Sequence, residues 1–84
     1  MFKNLSKDGK RNICGKKIRE IRKNLPKKTS QNYLSSMLQI NGLDIDKNAI
    51  QQIESGQRFV TDIELKAIAK ALDVSYEELL DYDE

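Results

Sequence analysis

The stretch KNAIQQIESGQR, Lys47 to Arg58, gathers Lys47, Asn48, Gln51 and Gln52 within six consecutive positions. Three amides and a lysine make a set suited to hydrogen-bonded recognition. Ile50 and Ile53, three apart, mark the buried face of a short helix. Gly56 stops it, as a residue able to take positive φ just past a helix end. With so few large apolar residues, the segment reads as a rod on display rather than a core helix.

The residue types that are missing narrow the function classes. The chain has no histidine and a single cysteine, Cys14. A Cys/His metal site and a Ser-His or Cys-His nucleophile pair are therefore excluded, as is an intrachain disulfide. Cys14 reads as a small buried apolar residue. An enzyme is not expected, and the residues call for no cofactor or metal.

Such a rod must be held by a fold. Eighty-four residues make one domain with one modest core. With 38% hydrophobic and 33% charged residues, the chain can bury that core and stay soluble. There is no apolar run long enough to span a membrane and no secretory signal, so the expected location is cytoplasmic. The net charge of +2 hides an asymmetry. Residues 1–31 hold 11 Lys/Arg against 2 Asp/Glu, and residues 32–84 hold 4 against 11. The basic end suits a polyanion, although a solvated basic face has the same composition.

Five short helices and no strand emerge from the pattern. Residues 1–11 have no sustained period and read as a flexible basic arm. Its Lys3, Lys7, Lys10 and Arg11 either reach a groove or form a solvated tail. Residues 12–82 are the folded domain. Asn12 is a candidate N-cap for a first helix over about 12–24, with Cys14, Ile18, Ile21 and Leu25 on one face and Pro26 ending it. Thr29 or Ser30 caps a second helix that buries Leu34, Met37, Leu38 and Ile40 and stops at Asn41-Gly42. Leu43 to Ile45 link it to Asp46, the N-cap of the opening stretch. Thr61 to Glu64 and Ser75 to Glu78 are capping boxes for two further helices. The first of these buries Ile63, Leu65, Ile68, Ala69 and Leu72, and the second Leu79 and Leu80.

Four segments, IREIRKN, TSQNYLSSML, AIQQIESGQR and LKAIAKALDVSYEELL, together resemble the lambda-repressor-like helix-turn-helix family, the Cro/repressor or xenobiotic-response-element type. The similarity runs over about residues 13–80. It implies an all-α, compact five-helix bundle whose second and third helices form the helix-turn-helix. The third helix of that family enters the major groove of double-stranded DNA. There Gln and Asn can read adenine edges bidentately and Lys the acceptors of guanine.

Carried over position by position, the resemblance makes Lys47, Asn48 and Gln52 base contacts, with Gln51 a further candidate. Gln31, first in the second helix, and Arg58, past the third, fall at phosphate-contacting positions, with Ser30 a further candidate. Tyr33 stands where the family often has a glutamate, and either contacts a phosphate or lies on the surface. Arg22 and Glu54 match an internal ion pair. Two intervals depart from the commonest family spacing. The stretch between helices one and two is about two residues longer. LQINGLDID, between two and three, is about five longer, which implies an elongated turn.

The function implied is a sequence-specific transcriptional regulator, a repressor that binds a pseudo-palindromic operator as a homodimer. The alternative is an antitoxin-like module that binds a protein partner on the same scaffold, with the acidic C-terminal half facing a basic partner.

Overall fold

Four of the five helices begin on a side chain that closes their first turn. Ser30 accepts from the Tyr33 N–H, Asp46 from Ala49, Thr61 from Glu64 and Ser75 from Glu78. At Thr61 and Ser75 the glutamate reaches back to the cap's own N–H and completes a capping box. The computed structural model describes residues 5–27 and 29–81. Lys3 of the expected arm, Lys28, and the chain from Tyr82 onward lie outside the described residues. Among the described residues the elements are α1 (Gly15–Lys23), α2 (Gln31–Ile40), α3 (Lys47–Glu54), α4 (Asp62–Leu72) and α5 (Tyr76–Leu80), with no strand.

Helix α1 starts two residues later than an Asn12 cap implies, with Cys14 in the cap position. Asn12 still serves that helix end. Its Oδ1 accepts from the Gly15 N–H at 2.8 Å. The helix closes at Asn24, before Pro26.

Cys14, Ile18, Leu34, Leu38, Ile50, Ile53, Ile68, Ala69, Leu72 and Leu79 form one core, and Ile45 joins them from the turn between α2 and α3. Helix α3 packs on both α1 and α2, α4 on α2 and α5, and α5 closes against α1. Truncating any of the large buried residues to Ala is expected to cost roughly 2–5 kcal/mol.

Three apolar residues expected inside lie outside. Ile63 is 71% exposed, Ile40 84% and Leu80 40%. Helix geometry gives the reason. Ile63 precedes Ile68 by five positions and Ile40 follows Leu38 by two, offsets of about 140° and 200° around their helices. Leu80 stands about 100° from the fully buried Leu79.

The long turn between α2 and α3 is pinned at both ends. Gly42 takes φ +90° just past α2. The Gly42 N–H donates to the Gln39 carbonyl and the Leu43 N–H to that of Leu38, a Schellman closure. Farther on, the Ile45 side chain enters the core while its carbonyl accepts from Ser35 Oγ at 2.9 Å and Gln39 Nε2 at 3.1 Å. The extra length is thus a fixed strut that sets α3 against α2.

Residues 6–11 of the expected arm close into a turn. Ser6 N–H donates to the Lys10 carbonyl and Gly9 N–H to that of Ser6. Arg11 N–H then donates to the carbonyl of Gly56, just past α3.

Candidate nucleic-acid interface

Helix α3 divides cleanly by burial. Ile50, Ile53 and Glu54 are buried and Ala49 half-buried, while Lys47, Asn48, Gln51, Gln52 and Ser55 are exposed. At about 100° per residue the exposed five span an arc of about 140°, a single outward face. No hydrogen bond or ion pair within the described residues engages the side chains of Lys47, Asn48, Gln51 or Gln52. Their donors and acceptors all face solvent.

Four polar side chains beside α3, Asn12, Arg22, Gln31 and Glu54, are bonded to one another or to backbone, and these bonds fix its position. Arg22 of α1 grips Glu54 through two bonds, Nε to Oε2 at 2.8 Å and Nη2 to Oε1 at 3.0 Å. Its Nη1 donates to the Thr29 carbonyl at 3.0 Å. Gln31 Nε2 donates to Glu54 Oε1 at 2.9 Å. One buried carboxylate therefore joins α1, the entry to α2, and the end of α3. A pair buried this well fixes geometry more dependably than it adds stability.

At the same end of α3, Asn12 makes a second junction. Its Nδ2 donates to the carbonyls of Ile53 at 3.1 Å and Arg58 at 2.7 Å, while its Oδ1 holds the Gly15 N–H. Gly56, at φ +81°, closes the helix as Gly42 closes α2, with the Gln57 N–H on the Gln52 carbonyl. As read from the sequence, Asn12 was only a helix cap. Its longer-range role was invisible because both acceptors are backbone carbonyls some forty residues away.

The four candidate phosphate contacts stand differently. Ser30 is exposed and its Oγ accepts the Tyr33 N–H, which leaves the hydroxyl hydrogen to donate outward. Tyr33 is 40% exposed, with Lys27 Nζ 5.5 Å from its ring centre. Gln31 spends one amide hydrogen on Glu54 and keeps the other. Arg58 is tied up. Its Nη2 donates to Glu64 Oε2 at 2.7 Å, and its Nη1 is buried with no hydrogen-bond partner among the described residues. Burial by itself would raise the Glu64 carboxyl. The hydrogen bonds from Arg58 and the Thr61 N–H outweigh it and hold the group below its ordinary value.

This architecture, a bundle whose second and third helices meet with the third presenting a polar outward face, defines a helix-turn-helix protein. A helix-turn-helix family model matches residues 18–79, nearly three-quarters of the chain, and the chain belongs to that family of DNA-binding regulators. Among solved structures, it is similar to the restriction-modification controller protein C.AhdI from Aeromonas hydrophila. The two share 32% identity and a TM-score of 0.66, over 79% of this chain and 89% of that one. No curated protein matches the chain.

Proposed function

We propose that this protein is a sequence-specific transcription regulator that represses by occupying a pseudo-palindromic operator as a homodimer. The observation that carries the reading is the outward face of α3, where Lys47, Asn48, Gln51 and Gln52 stand without partners among the described residues, on a helix capped by Asp46 at its start and held through Ile53 and Glu54 at its end. Asn48, Gln51 and Gln52 each offer a donor and an acceptor to adenine edges, and Lys47 donates to guanine. Ser30, Gln31 and Tyr33 would hold the backbone at the start of α2. Repression of this kind needs binding alone, so the protein acts in the cytoplasm without catalysing a reaction. The likeness to a restriction-modification controller supports regulation as the task.

The second copy fits the face made by α4 and α5. Ile63, Leu65, Tyr76 and Leu80 line a shallow apolar depression there, flanked by Asp62 and Lys66. A two-fold axis passing between Asp62 and Lys66 would set each beside the other's counterpart, the self-complementarity that such symmetry requires.

The test is selection of bound duplexes from a random DNA library at about physiological salt. The expected result is a motif with two inverted halves about ten base pairs apart. Retention without any motif would reduce the protein to a backbone binder, and no retention would overturn the DNA reading.

A further inference from the structure

An eight-residue helix such as α3 is about 12 Å long, and the major groove is about 12 Å wide. A helix whose first turn reaches base edges therefore brings its last turn to the rim, where the phosphates are. A phosphate at that rim would call for a cation on the turn after α3, and Arg58 there is already paired with Glu64. Its guanidinium is neutralised by Glu64, and one of its nitrogens is buried.

Another cation already stands at that turn. The segment 6–11 folds back so that the Arg11 N–H meets the Gly56 carbonyl, and Arg11 Nη1 donates to the Gln57 carbonyl at 2.9 Å. The guanidinium lies over the ring of Phe59, 6.0 Å from its centre. Arg11 is exposed, and Phe59 is 53% exposed. An arginine has five N–H donors in a planar fork, so the bond to Gln57 leaves several free. No carboxylate among the described residues pairs with it. Asp8, the acid of the same segment, is engaged by Ser6 Oγ and the Lys10 N–H. Lys10 lies alongside, its methylenes so close over Gly56 that a Cβ there would meet them at 2.6–3.0 Å.

We propose that Arg11, held over Phe59 and on the Gln57 carbonyl, contacts a DNA phosphate at the C-terminal end of α3. The N-terminal segment thus works as a strap that delivers a preorganised charge to the recognition helix. The assignment rests on the DNA reading above and adds a residue to it.

The experiment measures affinity for a short mixed-sequence duplex over roughly 50–200 mM salt. It compares the full-length protein with Arg11→Gln, Arg11→Lys and Arg58→Gln. Arg11→Gln keeps a donor for Gln57 but removes the charge. It is expected to lower the slope of log K against log salt by about 0.9, with unchanged base preference on selected sites. Arg11→Lys should hold the slope, and Arg58→Gln should leave it as it is. An unchanged slope in Arg11→Gln, or a lowered slope in Arg58→Gln instead, would overturn the assignment while leaving the DNA reading intact. Absence of duplex binding by the unaltered protein would overturn both.

Discussion

Gly15 sits so close to Ile53 that a Cβ added to it would lie 1.9 Å from the Ile53 carbonyl oxygen. The start of α1 and the end of α3 touch backbone to backbone there. Asn12 binds the same carbonyl from the side, at 3.1 Å. The position of the recognition helix therefore depends on an absent side chain.

Gly15→Ala forces that contact apart. Backbone cannot yield as a flexible side chain does, so the expected cost is about 3 kcal/mol, the upper end for overpacking. Urea unfolding measures it. A midpoint equal to the parent's would show that α1 can shift without consequence.

Arg22→Ala leaves the Glu54 carboxylate buried and uncompensated, with only Gln31 bonded to it among the described residues. The expected loss is roughly 3–5 kcal/mol. Replacing both partners with apolar residues of similar size should cost much less, because no charge is then stranded. Denaturation of the single and double variants separates the two cases. Equal losses would mean that the pair itself supplies the stability.

Much of the fold was legible because helix ends are written locally. Ser30, Asp46, Thr61 and Ser75 each cap within three residues, and Gly42 and Gly56 stop helices through their own backbone freedom. The outward face of α3 was legible for the same reason, since Ile50 and Ile53 orient the rest. Tertiary choices were not. Periodicity marks an apolar residue but not whether a neighbour covers it, so it cannot tell exposed Ile40, Ile63 and Leu80 from the core, nor show that Ile45 in the turn enters it. Arg58 matched a phosphate-contacting position by alignment. Glu64, six residues on, was read only as half of a capping box, and its second oxygen takes the arginine.

That second bond has a pH signature. The Glu64 pKa is lower in the folded state, so its stabilising contribution is present above the ordinary value of 4.5 and is lost as pH falls through the folded pKa. Glu64→Gln, which keeps an oxygen for the Thr61 N–H, should lose less stability than the parent between about pH 5 and 3. Urea midpoints across that range test this. Parallel pH curves for the two proteins would contradict it.

Ile63→Lys places a charge in the apolar face of α4 and α5. Ile63 is mostly exposed, so stability of the single chain should change by no more than about 0.5 kcal/mol. Association should be lost, and with it tight binding to a two-half operator. Sedimentation at several concentrations reads this directly. A variant that sediments as the parent does would place the second copy elsewhere.

The central claim, that the outward face of α3 reads base edges, is tested most directly by repeating duplex selection with Asn48→Ala and Gln52→Ala. Both side chains are exposed and have no partner among the described residues, so the fold should be untouched. The account predicts that each variant relaxes preference at its own base position, by roughly 1–3 kcal/mol, and keeps the rest of the motif. An unaltered motif, or one weakened equally at every position, would contradict it.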